Sequence, residues 1–137
     1  MKKVLVTGGA GYIGSHTVVQ LHKQGYQPVV MDNLSNSERF IIDRLEEICG
    51  QSIPFYQLDC CEAESYKIIA EKEGEFEAVI HFAAFKAVGE SVNFPAKYYR
   101  NNIGSLASLI EHLAVLNTKK MVFSSSCTVY GQPERLP

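Results

Sequence analysis

Three glycines spaced three apart, Gly8, Gly11 and Gly14, follow directly on the apolar run Val4-Leu5-Val6-Thr7. From Ile13 onward an apolar-periodic segment follows, with Val18, Val19 and Leu21. A strand, a tight turn and a helix N-terminus in that order make an anion cradle, because backbone amides and the positive end of the helix dipole face the ligand. A β-carbon at Gly8 or Gly11 would obstruct the turn and keep a pyrophosphate from those amides, and Gly14 lets the helix lie close to the sheet. Asp32 ends the next apolar run, Pro28 to Met31, eighteen residues beyond Gly14. A carboxylate at that offset accepts hydrogen bonds from ribose hydroxyls and repels a 2′-phosphate, so the pattern predicts NAD rather than NADP. Without the glycines the same aspartate reads as a cap on the following turn. Arg39 lies close enough in sequence to receive a phosphate and argues the other way.

Other side chains admit two readings. Lys86 follows a mostly apolar strand and is either a solvated surface lysine or a cation at the cofactor crevice. Ser124, Ser125 and Ser126 follow another strand, where hydroxyls either satisfy local amides or meet a substrate. His81 ends a buried strand and reads as a hydrogen-bonded core residue, while Glu90 reads as structural or substrate-side. The four histidines (His16, His22, His81, His112) and four cysteines (Cys49, Cys60, Cys61, Cys127) show no ligand spacing, so no metal is expected. The cysteines form no CxxC pair, and vicinal Cys60 and Cys61 suit a disulfide poorly; reduced thiols in a cytoplasmic protein are expected.

The elements that would position these groups alternate. Strands are predicted near residues 3–7, 28–32, 54–57, 77–82 and 120–124, and helices near 12–24, 38–48, 62–73 and 94–116. Such alternation with short connections predicts a doubly wound α/β domain, a parallel sheet in the order 3-2-1-4-5 with helices on both faces. Its crevice lies at the carboxyl ends of strands 1 and 4. The chain has 137 residues, 46% of them hydrophobic and 20% charged, with a net charge of −2. That suits one globular domain and gives no basic patch for nucleic acid or an anionic membrane. No apolar stretch approaches a membrane span, and the first strand begins too early for a signal peptide. The expectation is a single dinucleotide-binding domain over residues 1–137, truncated after its fifth strand, with a sheet edge and an apolar face left bare.

Three segments carry a resemblance: Asp32-Asn33-Leu34-Ser35-Asn36-Ser37, His81 through Ser91, and Phe123 through Gly131. With the opening Thr7 to His16 they resemble the UDP-glucose (UDP-galactose) 4-epimerases of the extended short-chain dehydrogenase/reductase family, whose dinucleotide domain is a Rossmann fold. Related dehydratases usually carry an Asp-Glu pair where this chain has Cys127 and Thr128. The resemblance implies that Tyr12 and Ile13 lie on the cofactor pyrophosphate and that Asp32, Asn33, Leu34, Ser35, Asn36 and Ser37 wrap the adenosine ribose. It implies that Asp59 and Cys60 meet the adenine, and that Phe82, Ala83, Ala84, Phe85 and Lys86 run beneath the nicotinamide half. Lys86 would reach cofactor and substrate hydroxyls, Asn101 would bind the cofactor, and Ser126 would hydrogen-bond the reacting 4-hydroxyl as the catalytic serine. The sequence departs from the family at Cys127 and at Gly104-Ser105, where a glycine comes one position early; neither change is expected to touch the cofactor chemistry.

The activity so implied is NAD-dependent epimerisation at C4 of a UDP-hexose through a 4-keto sugar. Its general base in the family is a tyrosine four residues before a lysine. Here Tyr12, Tyr98 and Tyr130 are followed at that distance by His16, Asn102 and Glu134, so the base is expected beyond this chain. A two-fold dimer is implied through the segment 94–116, and UDP-sugar is the expected partner, without nucleic acid or membrane. The alternatives are another nucleotide-sugar enzyme (dehydratase, decarboxylase or pentose epimerase) and a non-catalytic NAD-binding module.

Overall fold

Alternation of side chains along the strands sets the architecture. In β1 (Lys3–Thr7), Val4 and Val6 enter one apolar cluster while Leu5 enters another. In β2 (Gln27–Met31), Val30 joins the first and Val29 and Met31 the second. Strands buried on both faces need helices on both, and they have them. The first cluster is closed by Val18 of α1 (Tyr12–Lys23) and by Ile42 and Leu45 of α2 (Phe40–Cys49). The second is closed by Tyr66 and Ile69 of α3 (Ala63–Glu73) and by Leu109. The computed structural model describes residues 1–131 and Arg135. Among them β3 (Phe55–Tyr56), β4 (Ala78–His81) and β5 (Met121–Phe123) complete a parallel sheet in the order β3-β2-β1-β4-β5. That is the doubly wound order expected. β5 lies at the edge, with Val122 and Phe123 exposed.

The helix expected over 94–116 runs from Pro95 to His112 as α5 (Pro95–Tyr98), a π-helical turn (Tyr99–Ile103) and α6 (Gly104–His112), and a short α4 (Val88–Asn93), not expected, precedes it. Pro95 cannot donate to a preceding turn and disfavours helical backbone at Phe94, which has φ −131° and ψ 58°. Helix α6 stops four residues short of the expected end, and the chain turns over residues 113–117, with Asn117 left-handed (φ 51°). Among the described residues no helix is long and apolar enough to cross a membrane.

β1 and β4 are locked where the sheet's order reverses. His81, 2% exposed, sets Nδ1 2.7 Å from Thr7 Oγ1, and Phe123 stacks on its ring. It is the hydrogen-bonded core residue foreseen. Burial pushes its pKa down from 6.5 to about 4. The unfolded chain therefore takes the proton first, and the stability conferred by neutral His81 is complete above pH 6.5 and lost as the pH falls toward 4. Urea midpoints should fall across that window by up to about 3 kcal/mol of stability, and the fall should shrink in His81→Gln; an identical pH profile in the variant would refute the assignment.

Candidate functional site

A cleft opens at the carboxyl ends of the strands. Its walls are the glycine turn (Gly8, Gly11), the loop after β2 (Asp32, Asn33, Ser35, Asn36, Ser37), the segment Leu58, Asp59 and Cys60, the loop after β4 (Phe82, Ala83, Ala84, Phe85), and Asn101 with Ser105. Fourteen residues singled out from the sequence thus share one surface.

The glycine turn is close-packed at both ends. Gly8 has φ 68°, and a β-carbon there would lie 2.7 Å from the Ala83 nitrogen. At Gly14 a β-carbon would overlap the Gly8 carbonyl oxygen and come within 2.8 Å of Gly9 Cα, so Gly14 seats α1 on the turn. Helix α1 begins with no side-chain cap and no acid in its first turn. Its first amides and dipole therefore remain available to an anion.

Asp32, 8% exposed, holds the second wall. Its Oδ2 accepts from Ala10 N at 3.1 Å, and its Oδ1 accepts from Leu34 N and Ser37 Oγ, each at 2.9 Å. The capping reading of this residue holds, and Oδ2, which takes a single protein donor, keeps acceptor capacity. Asn33 Nδ2 donates to Asp59 Oδ2 at 3.1 Å, joining the loops after β2 and β3. Arg39 stacks over the Phe55 ring at 4.6 Å instead of lining the cleft. Leu34, left-handed at φ 59°, packs into the α1/α2 cluster and anchors the loop from behind.

The third wall hangs on a residue that sequence reading missed. Asn102 accepts from Phe85 N at 2.8 Å and donates to Phe85 O at 3.0 Å, pairing with that peptide from both sides. Asn101 Nδ2 donates to Asn102 Oδ1 at 2.9 Å, so the π-helical turn brings both asparagines to the β4 loop. Leu58 and Ser105 also line the cleft unforeseen. Leu58 abuts Asp59, and Ser105 follows Asn101 by one helical turn, so spacing alone could have raised both. The departure at Gly104-Ser105, expected to stay clear of the cofactor, thus reaches the cleft wall.

Several candidates lie outside that lining. Tyr12 and Ile13 are exposed at the start of α1, Lys86 is exposed in the β4 loop, and Ser126 is exposed between β5 and the 3₁₀ turn Cys127–Tyr130. Glu90 is structural: its carboxylate pairs with Lys97 Nζ at 2.6 Å and accepts from Tyr98 OH at 2.8 Å, which holds its pKa below the usual range. Cys60 and Cys61 are poor nucleophiles. Burial, with the Asp59 charge, pushes Cys60 up to about 12 and Cys61 up to about 11.

Comparison with known proteins gives a consistent relationship. The model of the NAD dependent epimerase/dehydratase family matches residues 4–137. A curated UDP-glucose 4-epimerase from Neisseria meningitidis serogroup C is 54% identical over 137 residues, all of this chain and 40% of the relative. The chain thus spans about two-fifths of the length of the curated relatives it matches. Among solved structures, UDP-glucose-4-epimerase from Stenotrophomonas maltophila, with bound NAD and formylated UDP-arabinopyranose, superposes with a TM-score of 0.92 at 39% identity, covering 100% of this chain and 40% of that one. UDP-glucose 4-epimerase from Bifidobacterium longum in complex with NAD+ and UDP gives 0.91 at 42% identity, covering 99% and 40%.

The glycine geometry is testable without a ligand. Gly14→Ala should cost about 3 kcal/mol or more, since backbone rather than a movable side chain opposes the methyl. Gly89, in α4 with open space around it, should gain up to about 1 kcal/mol on substitution by Ala. Urea denaturation of both variants checks this; equal effects would mean the turn is not close-packed.

Proposed function

We propose that this chain, which belongs to the NAD dependent epimerase/dehydratase family, supplies the dinucleotide-binding part of an enzyme that inverts C4 of a UDP-hexose. The observation that carries the reading is the 54% identity to a UDP-glucose 4-epimerase over the whole chain. The cleft fits the cofactor on its own terms. Close-packed glycines leave room at the turn, an uncapped helix end suits a pyrophosphate, and Asp32 offers a carboxylate oxygen to a ribose.

When bound, NAD would supply reversible hydride transfer at C4, which allows either face of the carbon to be reached through a 4-keto sugar. The chain's own residues bind and orient. The glycine turn and α1 hold the pyrophosphate, and Asp32 with Asn33 to Ser37 takes the adenosine ribose. Asp59 and Cys60 face the adenine, and Phe82 to Phe85 with Asn101 receive the nicotinamide half. Lys86 and Ser126, on loops at the carboxyl ends of β4 and β5, serve the cofactor and sugar hydroxyls, with Ser126 holding the 4-hydroxyl. None of the seven tyrosines precedes a lysine by four residues, so the general base is assigned to the length of the relatives that this chain does not span. A two-fold dimer completes the reading, supported by the exposed apolar residues Tyr99, Ile103 and Ile110 of the 94–116 segment, and the cytoplasm is its compartment.

The full-length protein should interconvert UDP-galactose and UDP-glucose in a coupled assay. Ser126→Ala should lower kcat by roughly a hundredfold or more, and residues 1–137 expressed alone should turn over nothing. Absence of turnover by the full-length protein would overturn the reading.

Cofactor choice follows from Asp32. Calorimetry should find NAD bound well ahead of NADP, and Asp32→Ala should weaken NAD by about 1–3 kcal/mol. Equal affinity for both cofactors would count against the assignment.

A further inference from the structure

Ser105 is a buried polar group on the cleft wall whose two hydrogen bonds are both long. It lies in the first turn of α6, 2% exposed, and lines the cleft one helical turn after Asn101. Its hydroxyl stands 3.5 Å from His81 Nε2 and 3.4 Å from the Asn102 carbonyl oxygen. Both distances are at the outer limit for a hydroxyl, which ordinarily bonds at about 2.7–2.8 Å to oxygen. Buried hydroxyls normally find a full partner. The His81 ring cannot turn to close the gap, because Nδ1 is held on Thr7 Oγ1 at 2.7 Å and Phe123 stacks on its face.

We infer that Ser105 completes its bonding with a hydroxyl of the ribose in the nicotinamide half of the dinucleotide. The inference rests on the reading of the cleft as an NAD site and adds a contact to it. Asp32 and Asp59 mark the adenosine end, on the β2–β3 side, and the glycine turn marks the pyrophosphate. Ser105 stands past that turn, beside His81 at the end of β4. A dinucleotide running from the aspartates across the turn brings its second ribose there. A ribose hydroxyl both donates and accepts, so it suits a serine whose two protein neighbours are both distant.

Equilibrium titration of the full-length protein with NAD, ADP-ribose and ADP tests the contact. ADP fills only the adenosine and pyrophosphate positions; the other two add the second ribose. Ser105→Ala and Ser105→Gly should each weaken NAD and ADP-ribose about five- to tenfold and leave ADP unchanged. Equal weakening of all three ligands would assign Ser105 to the support of His81 and overturn the inference, as would unchanged affinity for all three. Failure of the wild-type protein to bind NAD would overturn the cofactor reading and the inference with it.

Discussion

The cleft depends on one carboxylate. Asp32 accepts from the glycine turn through Ala10 N and from its own loop through Leu34 N and Ser37 Oγ. It thereby fixes the gap between the loops that follow β1 and β2. Hydrogen bonds to an ionised acceptor are stronger than neutral ones, and burial strengthens them further. The same bonds offset the strain of Leu34, whose left-handed backbone (φ 59°) is unfavourable for a residue with a β-carbon. Without the aspartate the loop would lose its reason to hold that conformation.

The other walls are tied by the same kind of side-chain-to-loop bond. Asn33 reaches Asp59, and Asn102 pairs with the Phe85 peptide. Each joins one carboxyl-end loop to another element, so the floor of the cleft is sheet and its rim is a ring of mutually supporting turns. The two apolar clusters beneath carry the packing and leave the rim free to be polar. Ionic contacts cluster at the opposite ends of the strands, where Lys2 and Lys120 meet Glu77 and Lys3 meets Glu73.

The sheet was legible because its information is local. Val4, Leu5 and Val6 state by alternation that β1 is covered on both faces, and the glycines that follow dictate a turn. Asp32 was legible from its offset as an acid at the head of the β2 loop, and its capping bonds follow from that place. The π-helical turn inside the 94–116 segment was not legible, since its apolar stripe runs through Tyr98, Leu106 and Leu109 without interruption. That turn carries Asn102, which meets Phe85 seventeen residues away in sequence. Helix α4 was missed because Val88-Gly89-Glu90-Ser91 is short, carries a glycine and has no buried face. Ser105 was passed over because a serine in a helix carries no signal until the neighbouring elements are known.

The bond between Thr7 and His81 spans 74 residues of chain, and the Gly8 turn rests on Ala83. Loop closure over such a distance must come before the contact can reward it. The site therefore requires β4 to lie beside β1, whereas β1, α1 and β2 can associate as neighbours in the chain. A ligand held there acts by mass action on the native state alone, and it clamps together parts of the chain that were synthesised far apart. Occupancy of the cleft and completion of the sheet are thus linked equilibria.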